Sequence, residues 1–395
     1  MNLPPPKIPR TVWVLGGVSL FMDMSSELVH AVLPVYLTTV LGLSVLAVGI
    51  IEGIAEATAS MLKVVSGFIS DRFGKRKPLA LLGYGLAALV KPVFPMAETA
   101  VGVVAARFVD RVGKGIRGAP RDAIVADVTP PALRDAAYGL RQSLDTVGAF
   151  AGPVLAIFFL WLWANDLRAV LWVAVVPALL AVALLAFGVA EPETPPGPAA
   201  PRLRLADIGQ LPPAFWRLIT LAAGIALARL SEAFLVLRAQ ELQLTLMWIP
   251  LVMIVMSATY ALSSYPAGLL AARFGRQALI AASLLALVAA QLCLSLLPGT
   301  VGLWAGVAIW GLHMGLSQGG LSAWVAELAP AGMRATAFGI FHFATGLFQL
   351  ASGVMAGWLW MSHGSAAAFL AGALVAGAAL LVLLKGQSPA GLSHG

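Results

Sequence analysis

Read for hydrophobicity alone, the chain is a succession of apolar stretches separated by short polar or Pro/Gly breaks. A helix needs about 20 apolar residues to cross ~30 Å of hydrocarbon. The pattern therefore predicts twelve helical spans, near residues 11–40, 45–70, 78–96, 99–125, 138–163, 168–189, 215–243, 247–271, 277–297, 300–327, 335–361 and 365–385. The expected class is an all-α integral membrane protein. The first span carries acids and no small-residue cleavage site, so it reads as a retained helix and not as a signal peptide. One long break, AEPETPPGPAAPRLRLADIGQLPP at 190–213, is rich in proline and polar residues and reads as a linker. It divides the chain into six spans at 1–189 and six at 214–395.

The second half echoes the first. ADVTPPALRDAAYGL (126–140) aligns at an offset of 200 with AELAPAGMRATAFGI (326–340), pairing Asp127 with Glu327 and Arg134 with Arg334. GFISDRFGKRK (67–77) has a weaker echo in GLLAARFGRQ (268–277), and SSELVHAVLP echoes LSEAFLVLRA through Glu27 and Glu232. Two pseudo-symmetric six-helix bundles follow, in the parallel-repeat arrangement of secondary transporters, where the substrate lies near the midplane. Lys7, Arg10, Arg72, Lys75, Arg76, Lys77, Arg134, Arg202, Arg204, Arg273, Arg276, Arg334 and Lys385 fall at alternate breaks, whereas the other breaks hold few cations. That asymmetry predicts both termini in the cytoplasm.

GFISDRFGKRK resembles the loop between the second and third helices of the major facilitator superfamily, Gly-x-x-x-Asp-Arg-x-Gly-[Arg/Lys]-[Arg/Lys], through Gly67, Asp71, Arg72, Gly74, Lys75 and Arg76. The resemblance implies a charge relay of Asp71, Lys75 and Asp127 that latches the outward-open state. RVGKGIRGA (111–119) resembles the family's fourth-helix Arg-x-x-x-Gly motif, which implies a proton-coupling role for Arg111; Lys114 and Arg117 stand where the family usually has neutral residues. GAFAGP (148–153) resembles the fifth-helix Gly-x-x-x-Gly-Pro signature associated with antiporters, and its glycines also suit close helix packing.

Composition and charge sharpen this picture. The 395 residues are 60% hydrophobic and 11% charged, with a mean hydropathy of +0.90; soluble domains are about a quarter charged, so little is left for a soluble domain. The net charge of +7 bears on membrane orientation, and no nucleic acid is expected as a partner. The lone Cys293 excludes an internal disulfide. No cofactor or metal is expected: VGKGIRG lacks the phosphate-cradling spacing, and the histidines form no His-x-x-x-His pair.

A charge at mid-bilayer costs about 2.5–3.5 kcal/mol, so ionisable residues in spans should face each other or water. At 100° per residue, Arg107, Asp110, Arg111, Lys114, Arg117 and Arg121 fall within about 120° of the fourth span. Asp23, Glu27 and His30 share a face of the first span, and Glu52, Glu56 and Lys63 a face of the second. Arg141 and Asp145 are four apart in the fifth and suit pairing along the helix. The second half offers Arg229, Glu232 and Arg238, with Gln318, His313 and His342 as neutral polar candidates. Two readings compete: ion pairs that only hold helices together, and a coupling site. In the second, Asp23 or Glu27 binds the proton with Arg111, and Arg107, Lys114, Arg117, Glu52, Glu56, Arg141, Asp145, Arg229 and Glu232 contact substrate.

The expected protein is no enzyme, since it shows no candidate nucleophile or metal set. It is a monomeric, proton-coupled carrier of a bacterial inner membrane, exporting a small anionic or zwitterionic organic molecule by alternating access. The alternative is a proton-coupled importer of an organic anion or metal chelate through the same residues.

Overall fold

The computed structural model describes residues 8–73, 75–191, 211–329 and 333–385, and among them every regular element is helical. The helices are α1 (Arg10–Thr39), α2 (Val45–Phe73), α3 (Arg76–Val90), α4 (Val93–Met96), α5 (Ala100–Val128), α6 (Arg134–Leu162), α7 (Leu167–Val173), α8 (Val175–Gly188), α9 (Pro213–Ala228), α10 (Ala233–Glu241), α11 (Leu251–Phe274), α12 (Arg276–Leu296), α13 (Gly299–Leu328), α14 (Arg334–His363) and α15 (Ser365–Lys385). Eleven spans among the described residues are long and apolar enough to cross a membrane. The twelfth is α5, 29 residues long. It is set apart by its ionic face, since a bilayer-length helix with that many charges has low mean hydropathy. The side chains of Asp71, Arg72, Gln318 and Arg334 lie outside what the structure describes, as do the linker residues 192–210.

Three spans are interrupted: the third between α3 and α4 at Lys91–Pro92, the sixth at Ala174 between α7 and α8, and the seventh at 229–232 between α9 and α10. Proline without an N–H accounts for the first. Carbonyls at the other two breaks lose or weaken their helical bonds, that of Ala174 keeping a long 3.4 Å bond from the Ala178 N–H, and in hydrocarbon such groups must find donors within the protein. Ser25 donates to the Ala174 carbonyl at 2.6 Å, the Gln291 amide to that of Ala228 at 3.0 Å, and Ser352 to that of Arg229 at 3.4 Å.

The chain forms two compact units, one of residues 1–43, 54–202 and 244–254, the other of 44–53, 203–243 and 255–395. In the first, α1 packs on α6 and α8, and α3 on α5 and α8. Its apolar core includes Val18, Met22, Tyr84, Ala87, Ile124 and Leu185. In the second, α9 packs on α14 and α15, and α12 on α13 and α15. Within each half, then, the first span meets the fifth and sixth, and the third meets the fourth and sixth. The internal repeat read from sequence is a repeat of packing.

Close approach of α1 and α6 depends on two glycines of the GAFAGP stretch. A Cβ on Gly152 would lie 2.6 Å from the Met24 carbonyl and 2.7 Å from the Leu28 nitrogen, and one on Gly148 would strike the Leu20 carbonyl. Only glycine lets the backbones pass at this distance.

Both units also tie their ends alike. In the first, Arg76, which opens α3, pairs with Asp127 near the end of α5 at 2.9 Å. In the second, Arg276, which opens α12, pairs with Glu327 near the end of α13 at 2.5 Å. Both pairs span 51 residues, and they sit 200 apart in the chain. Glu191, just past α8, accepts the backbone N–H groups of Arg76 and Lys77 at 2.7 and 3.0 Å. It thereby supplies acceptors that the first turn of α3 lacks.

Candidate functional site

The polar face of α5 is where the 100° rule places it. Arg107, Asp110, Arg111 and Arg117 are all buried, and Lys114 is exposed. Asp110 is the centre of the buried part. Its carboxylate receives Lys91 at 2.9 Å, Arg111 at 3.1 Å and Arg107 at 3.9 Å. The side chains of Lys91 and Asp110 are 0% and 2% exposed, so water contributes nothing to their charge balance. Arg111 reaches Glu56 on α2 at 3.2 Å with its other amino group, bridging two acids on different helices. Lys91 comes from the break in the third span and also reaches Ser26 of α1 at 3.4 Å.

A second, looser network lies towards the end of α5. Arg117 stacks over the Tyr84 ring at 5.0 Å and approaches Asp23 of α1 at 3.8 Å. Arg121 holds Asp122 at 3.0 Å and reaches Asp145 of α6 at 3.7 Å, with Ser19 at 3.1 Å. Arg141 lies 3.5 Å from Asp145, the four-residue pairing expected along α6, and 3.7 Å from Asp122. Asp23 is within electrostatic reach of Asp145. Lys63 of α2 is exposed and within electrostatic reach of Asp122, Arg121 and Arg141.

Between these networks lies Lys114. It makes no hydrogen bond or ion pair with the described residues and interacts at longer range with Glu27 and Glu56. Glu27 lies 3.5 Å from His30, one turn along α1. Glu52 is buried in the stretch of α2 grouped with the second unit.

In the second unit, Arg229 and Glu232 occupy the break of the seventh span, where backbone carbonyls turn from the helix axis. His313 of α13 is buried, with Nδ1 2.8 Å from the Ser283 carbonyl, so this nitrogen carries the hydrogen and donates. Arg238 pairs with Glu241 at 2.7 Å and donates to Ser365 at 2.8 Å. Among the described residues no group of three or more His, Cys, Asp or Glu side chains could hold a metal ion.

Of the expected site residues, the structure brings together Arg107, Arg111 and Glu56; Asp23 and Arg117; and Arg141 and Asp145. At the relay, Arg76 holds Asp127, while Lys75 makes no ion pair with described residues. Gly67 faces Ala119 of α5, with room for a Cβ 3.4 Å from the alanine's own. Sequence reasoning passed over Lys91, Ser25, Ser26, Tyr84 and Asp122. Lys91 left one signal, a lysine before proline inside an apolar stretch.

Duplicated six-helix bundles, interrupted spans and a buried ionic face on one central helix define a polytopic membrane transporter. The sequence profile described as Major Facilitator Superfamily matches residues 15–351 and 233–393, and the chain belongs to that family. It is 29% identical over 382 residues to an uncharacterized MFS-type transporter of Methanocaldococcus jannaschii, covering 93% of this chain and 95% of the relative. It is 29% identical over 141 residues to the multidrug resistance protein MdtH of Yersinia enterocolitica, covering 36% of this chain and 34% of that one. A POT family transporter crystallised with a thioalcohol conjugated peptide superposes with a TM-score of 0.80 at 15% identity, covering 96% of each chain.

Proposed function

We propose that this transporter is proton-coupled and exports a small anionic or zwitterionic organic molecule. The observation that carries the reading is Lys114. Every other cation on its face of α5 is engaged by an acid at 3.0–3.9 Å, whereas this ammonium is exposed and has two glutamates only at longer range. An unengaged cation in a span is costly unless water or a ligand reaches it, and it would attract a carboxylate or phosphate. Glu27 and Glu56 nearby would receive a substrate amine, which extends the class to zwitterions. Arg107, Arg117, Glu52, Arg229 and Glu232 complete the proposed contacts.

Asp23 or Glu27 takes up the proton in this reading, with Arg111 as its counter-charge. Asp71, Lys75 and Asp127 act with Arg76 as the gating relay. The halves 1–189 and 214–395 are the rocking bodies, joined through 190–213, in a monomer whose termini face the cytoplasm of a bacterium. Export over uptake is supported by the partial similarity to MdtH, named as a multidrug resistance protein.

The test is transport in proteoliposomes under an imposed pH gradient, with a panel of organic anions and zwitterions. Proton movement that appears only with substrate, runs opposite to it, and is lost in Lys114→Met supports the reading. Co-directional movement favours the importer, and gradient-independent ohmic flux refutes a carrier.

A further inference from the structure

We infer that Lys63 of α2 and Lys114 of α5 form a two-point clamp for a small organic dianion, a dicarboxylate or a phosphate monoester, seated over Gly118. The inference rests on the anion-carrying reading above and narrows its substrate class from one negative charge to two. Lys114 and Gly118 are four residues apart in α5, so they share a face with their side-chain origins about 6 Å apart. A Cβ placed on Gly118 would lie 3.9 Å from Lys63 Cε, and among the described residues nothing else beyond the helix's own backbone stands within 4 Å of it. The end of Lys63 therefore lies against α5 one turn from Lys114, across a gap that the missing side chain of residue 118 leaves open.

The neighbouring glycine differs in kind. A Cβ on Gly115 would strike Leu62 and the Ala59 carbonyl at 2.6 and 2.9 Å, so α2 and α5 touch there and part at Gly118. Close packing accounts for the first glycine and not for the second. The Lys63 stem runs across this gap to α5, within electrostatic reach of Asp122, Arg121 and Arg141, so its head belongs to the polar face of the bundle and not to lipid. Lys63, Lys114 and Gly118 all lie in the first unit, and the clamp is complete within it.

Both lysines are exposed, and neither makes a hydrogen bond or ion pair with the described residues. The acids within their reach are already committed to other cations. Asp122 has Arg121 at 3.0 Å and Arg141 at 3.7 Å, Glu56 has Arg111 at 3.2 Å, and Glu27 has His30 at 3.5 Å. Two ammonium groups within electrostatic reach of each other and without an acid of their own repel, and holding both in spans is costly until an anion lies between them. A single negative charge satisfies one of them; a ligand with two satisfies both, each through a charge-assisted hydrogen bond. An ammonium is a point charge with rotatable donors on a flexible stem, so the clamp accepts a range of spacings between two carboxylates where a guanidinium fork would fix one.

The test is binding to the full-length protein in detergent, read from the concentration dependence of its melting temperature. The probes are malonate, succinate, glutarate and inorganic phosphate, with acetate and butyrate at matched ionic strength as single-charge controls. At least one dianion should bind more tightly than either control, and that preference should fall by about tenfold or more in Lys63→Met and in Lys114→Met, with Lys63→Arg keeping most of it. Gly118→Leu fills the gap without removing a charge. Its Cβ meets open space, so the variant should fold as the parent does and lose the preference, which keeps the test decisive if Lys63→Met does not fold. A preference indifferent to Lys63 and Gly118, no preference over the controls, or stabilisation by phosphatidic acid in mixed micelles and by none of the soluble dianions overturns the inference. Single-charge binding that depends on Lys114 and ignores Lys63, with no dianion preference, would do so while leaving the exporter reading intact. A clamp that obeys both lysines in a protein without substrate-linked proton flux would instead sink that reading and leave the site standing.

Discussion

Three cations converge on one buried carboxylate, so Asp110→Asn should cost the fold far more than Lys91→Met. At an effective dielectric of about 20, contacts of 2.9, 3.1 and 3.9 Å correspond to gross attractions of about 6, 5 and 4 kcal/mol for Lys91, Arg111 and Arg107. Desolvation consumes most of each, and breaking a buried pair from one side typically costs about 3–5 kcal/mol net. Lys91→Met forfeits one attraction and leaves Asp110 with two arginines, which places it near the lower end of that range. Asp110→Asn forfeits all three and leaves mutually repelling cations in a dry site, which places it above the upper end. The double variant should be more stable than Asp110→Asn alone, because it removes Lys91, one of the mutually repelling cations. Reversible unfolding in mixed micelles, with a full double-mutant cycle, measures each term. Equal costs for the two single variants, or a cycle that closes additively, would refute the convergence of charge on Asp110.

Other perturbations test other parts of the structure. Gly152→Leu would press its side chain into the α1 backbone at Met24 and Leu28 and should yield no monodisperse protein on size exclusion; a variant eluting and melting like the parent contradicts that packing. Charge reversal in Arg76→Asp should be relieved by Asp127→Arg, with Arg276→Asp and Glu327→Arg behaving alike; partly exposed pairs of this kind are worth about 1 kcal/mol or less, so thermal stability must be compared within each swap. Gln291→Leu strands the buried Ala228 carbonyl, which costs about 1–3 kcal/mol, and it should destabilise more than Ser352→Ala, whose bond is longer.

Hydrophobic periodicity makes the helices legible, because a span must be apolar and long whatever it packs against. The α5 face and the Arg141–Asp145 pairing were legible for the same reason: both are set by spacing on one helix. Contacts between helices were not. Nothing near Lys91 in sequence announces Asp110, nineteen residues on; they meet because α3 and α5 pack together. Which of Lys75, Arg76 and Lys77 meets Asp127 depends on where α3 begins, and helix ends are the least determined feature of a sequence pattern. The break of the sixth span at Ala174 lies just before Pro177, whose missing N–H leaves the Val173 carbonyl without its helical donor; the Ser25 bond to the Ala174 carbonyl left no such mark in the sequence.

The offset of 200 residues also relates the middles of the two halves, with the opposite outcome from their ends. The positions answering to Arg107, Asp110, Arg111, Lys114 and Arg117 are Val307, Trp310, Gly311, Met314 and Ser317. Trp310 fills its place completely buried. Gln291 answers to Lys91, and each reaches the first helix of its own half, Ala228 in α9 or Ser26 in α1. The second copy keeps the mechanical ties of the first and has no Asp, Glu, Lys or Arg at the answering positions 291–317. A potential of 100 mV acts on each elementary charge carried across the bilayer with about 2.3 kcal/mol. Electrogenic current during turnover should therefore respond to charge substitutions at positions 91–117 and be indifferent to uncharged substitutions at their counterparts at 291–317, the second half keeping its charge at the seventh-span break in Arg229 and Glu232.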